Sequence, residues 1–137
     1  MSAASNYLEN KVLDHVLRNT AYTQPGALYV ALFNNTSGNA ATNLEAGTLT
    51  DEVSTSATAY GRKTATFGAA SSGSATTSGD ITFDVATASW GTVTHAAVMD
   101  ASTAGNVLFY GALTVSKTVT TGDTFKISSG QLTITLA

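Results

Sequence analysis

The sequence predicts a mainly β protein: an antiparallel β-sandwich, jelly-roll-like, of about seven or eight strands with one N-terminal α-helix. Three observations predict it. From Ala27 onward, apolar residues recur at every second position in short runs separated by Gly, Ser, Asn and Asp. Ala, Gly, Ser and Thr supply about half of the 137 residues, and β-branched Thr suits a pleated, half-buried surface. Only one stretch, near the N-terminus, repeats apolar residues at helical spacing.

That stretch is NYLENKVLDHVLRN, residues 6–19. Leu8, Val12 and Val16 form an apolar stripe flanked by Leu13 and Leu17. Asn6 is the expected cap, with Glu9 completing a capping box, and Asn19 is the expected stop. His15 lies beside the stripe and reads as a surface or half-buried side chain. TQPG, with the only proline, is a turn, after which ALYVALF (27–33) reads as a strand apolar on both faces. The turn-rich segment 34–47 predicts a long exposed loop, and TDEVSTS a short edge strand.

AYGRKTATFG predicts a strand through Phe67, and residues 69–80 a low-complexity, flexible segment. ITFDVAT puts Ile81, Phe83 and Val85 on one face. In WGTVTHAAVMD, strict alternation places His95 with Val93, Ala97 and Met99. After the turn at 100–106, VLFYGALTVS sets Val107, Phe109, Gly111 and Leu113 opposite Leu108, Tyr110 and Ala112. TFKIS and QLTITL read as a closing hairpin. The expected division is a helical arm, 1–20, and a sandwich domain, 21–137, within the usual size of one domain.

The composition excludes several kinds of chemistry. Without cysteine there is no disulfide, no thiol nucleophile and no thiolate metal site. The six basic residues are scattered and the net charge is −3, which argues against a nucleic-acid partner. No stretch is long and apolar enough for a membrane span, and the N-terminus lacks the basic and apolar regions of a secretory signal, so a soluble product of a cytoplasm is expected. Phosphate-cradling glycine motifs and a G-x-S-x-G elbow are absent. His95 has scattered acids near it in sequence, Asp84 and Asp100, but no nucleophile placed for a triad, so it reads as a hydrogen-bonded sheet or contact residue. Glu45, Asp51 and Glu52 could offer oxygens to calcium, yet their spacing matches no EF-hand and a solvated acidic loop is the simpler reading. Trp90 and the tyrosines could stack on a sugar or a neighbouring protein, although alternating aromatics in strands more often form core. No catalytic, metal or cofactor-binding residue is assigned. The residues expected at an interface are Leu8, Val12, Val16, Tyr60, Arg62, Trp90, His95 and Tyr110.

Several short motifs follow one another in order: LYVALF after the helix, Tyr60-Gly61-Arg62 after a variable loop, WGTVTH, the turn from Asp100 to Asn106, and an aromatic strand ending in Gly-Ala-Leu. In this order the chain resembles a family of small tailed-bacteriophage virion proteins, labelled tail-fibre or minor structural proteins. It is also similar to small β-sandwich proteins that serve as capsid cement or decoration. The resemblance implies structural service in a virion, made in the host cytoplasm, with no catalytic residues and no cofactor. It implies other virion proteins as partners, the major capsid protein or tail proteins, and a homotrimer or other homo-oligomer. The compact chain favours a capsid-surface or tail-associated module, and capsid decoration or cement, binding the major capsid protein in many copies, is the first reading. The alternative is a tail-fibre or tail-tip module that recognises a host receptor.

Overall fold

The computed structural model describes residues 2–136. The protein is mainly β, and its largest element is a five-stranded antiparallel sheet. Its strands are β1 (Ala3–Ala4), β2 (Leu28–Phe33), β3 (Lys63–Ala65), β6 (Gly91–Met99) and β7 (Val107–Val119), in the order β1-β7-β6-β2-β3. Two short ribbons complete the β structure: β4 (Ser74–Thr76) with β9 (Thr133–Thr135), and β5 (Ile81–Thr82) with β8 (Lys126–Ile127). Helices α1 (Asn6–Leu17) and α2 (Ala40–Glu45) are the helical elements.

The sheet carries a different partner on each face. Val30, Leu32, Val93 and Ala96 meet Ile81, Phe83 and Phe125 in one apolar cluster, so the ribbons form a second β layer. Ala31, Phe33, Ala97 and Met99 meet Leu44 of α2 in another. Because β2 is covered on both sides, Val30 through Phe33 are buried without interruption, as the doubly apolar LYVALF run predicts.

Helix α1 is capped one residue earlier than expected. Ser5, not Asn6, is the N-cap: its Oγ accepts from the Leu8 amide at 3.3 Å and donates to the Val107 carbonyl. Ser5 wins because its hydroxyl serves helix and sheet together, while its own amide bonds Leu108 O at 2.9 Å. Asn19, in the left-handed region at φ 55°, ends the helix as expected.

Other expectations are corrected by tertiary contacts. The 34–47 segment is not all loop, because Ala40 and Leu44 are drawn into the core and wind α2 between them. TDEVSTS makes a single bridge, Phe33 to Glu52, before left-handed Ala57 and Ala59 turn the chain away. The same turn shortens the AYGRKTATFG strand to β3. Residues 69–80 hold β4, entered through a tight turn in which Ser72 and Gly73 both have positive φ, 52° and 76°. Val85 is exposed because the chain leaves β5 after Thr82.

TFKIS and QLTITL do not pair with each other: β8 joins β5 and β9 joins β4. The two ribbons are therefore one long antiparallel pairing, interrupted by the turn at Ser128–Gln131. Strict alternation also fails in β6. Val93 and Ala96 share one cluster while Ala97 and Met99 share the other, so the pattern slips by one at the irregularity between Val93 and His95. A second irregularity leaves Leu108 without a cross-strand partner and brings Val107 and Tyr110 to the same cluster.

Candidate functional site

Arg62 follows the turn at Ala57–Ala59, which aims it back over the end of β2. Its Nε donates to Glu52 Oε2 at 2.7 Å and its Nη2 to Glu52 Oε1 at 2.9 Å. Its Nη1 donates to the carbonyls of Ala101 and Ala104, at 2.9 and 2.8 Å. Tyr60 joins the same group, donating to Glu52 Oε2 at 2.9 Å and accepting from the Leu32 amide at 3.0 Å. Burial pushes the Tyr60 phenol well above its ordinary value, and the Glu52 charge adds to the effect. Asp100 closes the 100–106 turn from within, accepting from the Asn106 amide and side chain at 2.7 and 2.8 Å. These bonds tie Tyr60 and Arg62 into the fold.

Trp90 is 2% exposed and stands edge-on to Tyr60, with ring centres 5.4 Å apart, and to Phe83. Its Nε1 donates to Thr58 O at 2.9 Å. Leu8 is also buried, under the first turn of α1. Tyr110 is half-buried, and burial followed by the Glu45 carboxylate beside it raises its phenol above the ordinary value.

His95 borders a shallow cavity of about 190 Å³ lined by Asn35, Gly38 and the start of α2. Its Nδ1 lies 2.8 Å from Thr94 Oγ1, and that hydroxyl also faces Phe33 O at 3.5 Å. Burial lowers the imidazole pKa, opposed in part by the Asp51 charge. The Asp51 carboxylate is itself committed to loop closure, accepting from Ser37 Oγ at 2.6 Å, Ser37 N at 2.9 Å and Thr36 Oγ1 at 3.2 Å. It is not aligned behind the imidazole as a triad acid must be. The acids considered for calcium are likewise dispersed: Glu52 grips Arg62, Asp51 binds its own loop, and Glu45 lies by Tyr110. Among the described residues no three His, Asp or Glu side chains gather to hold a metal ion.

The exposed apolar surface lies elsewhere. Helix α1 seats its first turn on β1 and β7 and then runs outward, leaving Leu13, Val16 and Leu17 at 54%, 70% and 74% exposure, with Val12 half-buried. Leu136, at 54%, lines the same groove as Leu8, Val12 and Leu13. Leu13, Leu17 and Leu136 were not among the expected interface residues. Leu13 and Leu17 were visible in the sequence as the flanks of the stripe, but helical spacing alone does not show which flank the sheet leaves uncovered. Among the described residues no helix is long and apolar enough to cross a membrane.

No curated protein matches the chain. The family described as podophage GP4 fiber I protein gp80 matches residues 3–135, which takes in every strand and both helices. The order of LYVALF, Tyr60-Gly61-Arg62, WGTVTH and the Asp100 turn thus belongs to a phage structural protein, a component of the virion. By that match across nearly its whole length, the chain belongs to the podophage GP4 fiber I protein gp80 family.

Proposed function

We propose that this chain is a structural subunit of the tail fibre, carried as a homotrimer whose copies meet along the outer stripe of α1. The family's description, a fibre protein, is the observation that carries the fibre reading over capsid decoration. The stripe supports self-association. Leu13, Val16 and Leu17 present apolar surface to water, and identical faces can share it around a closed symmetry axis. Asp14, the acid within the stripe's span, is paired with Arg18 at 3.3 Å, which reduces like-charge repulsion between copies. The role is structural rather than catalytic, in keeping with an imidazole turned towards Thr94 and an Asp51 occupied by its own loop.

Gold-labelled antibody against the chain, imaged on intact particles, tests the location. Label confined to the tail at a few sites is expected; label spread over the shell overturns the fibre reading in favour of decoration. Light scattering on the purified protein tests the assembly separately. A trimer mass that falls to the monomer in Val16→Glu is expected, and a monomeric wild type overturns the homotrimer.

A further inference from the structure

Three cavities border the last strand. One of about 280 Å³ lies between Gln131–Ile134 and the Phe109–Thr114 stretch of β7. A second, about 370 Å³, also reaches Ile134 and is walled by Leu28, Phe67, Val98 and Leu108. A third, about 940 Å³, is shared by Thr133, Thr135 and Leu136 with the first turns of α1. These clefts open to solvent, so the side chains that border them meet water there instead of packed protein. Leu132 and Ile134 are accordingly only half-buried and Leu136 is exposed, whereas Val93, Ala97, Val98 and Met99 of β6 are all at or below 3% exposure.

Several hydrogen bonds of this strand lie at the surface, although the Thr77 amide that bonds Leu132 O belongs to a buried residue. Its ladder with β4 spans three residue pairs, from Ser74↔Thr135 to Thr76↔Thr133. Beyond the ladder, the Thr135 amide donates to Ser2 Oγ at 3.0 Å, and the Leu136 amide to Gly73 O at 2.8 Å. Exposed bonds of this kind are exchanged for bonds to water at little net cost, so the segment sits at the low end of local stability.

We propose that Gln131–Leu136 is a strap that lifts off the sheet as one local unit while the five-stranded sheet stays folded, with Ile134 as its latch. Lifting uncovers an apolar floor made by Val98, Leu108, Phe109 and Leu113. The inference is independent of where the protein sits in the virion.

Native-state hydrogen exchange tests it on the Leu136 amide and on the Thr77 amide, which bonds Leu132 O at 3.0 Å. Both are expected to exchange about a hundredfold or more faster than the amides of β6, at rates that stay flat in low denaturant while those of β6 climb. Protection and denaturant dependence equal to those of β6 would overturn the strap. Ile134→Ala is expected to speed exchange at Leu136 and Thr77. Ile134→Phe, whose ring has room in the adjoining cavities, is expected to slow it, with β6 unchanged in both. If both variants exchange as the wild type does, Ile134 is not the latch.

Discussion

Arg62 holds Glu52 through two nearly parallel hydrogen bonds, and the third arm of its guanidinium carries the carbonyls of Ala101 and Ala104. The Arg62 side chain is 3% exposed and that of Glu52 18%, so water does little to replace what either loses. Arg62→Ala leaves the Glu52 carboxylate with the Tyr60 hydroxyl alone and the two carbonyls without their donor, and should cost about 3 kcal/mol. Arg62→Lys should recover little, since a point ammonium cannot reproduce the planar fork. Urea unfolding followed by circular dichroism measures both; a lysine variant as stable as the wild type would show that charge alone matters here.

Trp90 combines a buried ring with one directed N–H. Trp90→Phe keeps most of the edge contacts to Tyr60 and Phe83 but leaves Thr58 O with the Thr87 amide at 3.2 Å as its remaining donor, for a loss of about 1 kcal/mol. Trp90→Ala adds a cavity and should cost about 3–5 kcal/mol. The same unfolding experiment ranks the two, and equal losses would mean that the indole N–H, not ring volume, dominates.

Acid should weaken the protein in two steps. The folded chain binds a proton on His95 less readily than the unfolded chain does, because burial lowers the imidazole pKa. Stability therefore starts to fall as pH drops below the ordinary value of 6.5, and levels off once folded His95 is protonated too. Asp51 acts lower on the scale. The Ser37 hydroxyl, chief among its donors, holds it below the carboxylate norm, so its contribution is lost as pH falls through that depressed value. His95→Asn should remove the first step and spare the second. Unfolding midpoints recorded from about pH 8 down to pH 3 resolve the two, and an unchanged first step in the variant would assign it elsewhere.

Gly105 adopts φ +72°, and a Cβ there would lie 2.6 Å from Asp100 Oδ1 and 2.7 Å from Ala101 Cβ. Gly105→Ala should destabilise by about 1 kcal/mol from the backbone alone, and by more from the clash. Gly122, also at positive φ but with open space around it, is the control: its alanine variant should show only the backbone part. Thermal melts of the pair separate the two contributions.

The parts of the fold legible in the sequence are those whose burial follows from local pattern. Leu28–Phe33 reads as doubly buried because both parities are apolar, and Leu8 reads as the inward side of a helix. Helix α2 was hidden because AATNLE offers only Ala40 and Leu44 as apolar contacts and makes no side-chain cap; the sheet beneath winds it. Alternation could not show the slip between Val93 and His95, since a bulge leaves no mark on residue type. The bonding of Tyr60 and Arg62 to Glu52 is not legible in the sequence, because Glu52 lies in a segment whose turn at Ala57–Ala59 is formed by residues that ordinarily avoid positive φ. One clue was available: in a chain with so few charges, an acid and a guanidinium flanking a tyrosine are candidates for one another.

The turn from Asp100 to Asn106 is clamped by groups that lie outside its apex. Arg62 holds the carbonyls of Ala101 and Ala104, while Asp100 binds Asn106 across the base. Ser102 and Thr103 project into solvent between these anchor points. Their side chains contribute none of the clamping bonds, so this apex can accept new residues without altering its outline. A substitution at Ser102 or Thr103 changes the chemistry this apex presents while the clamp keeps its shape.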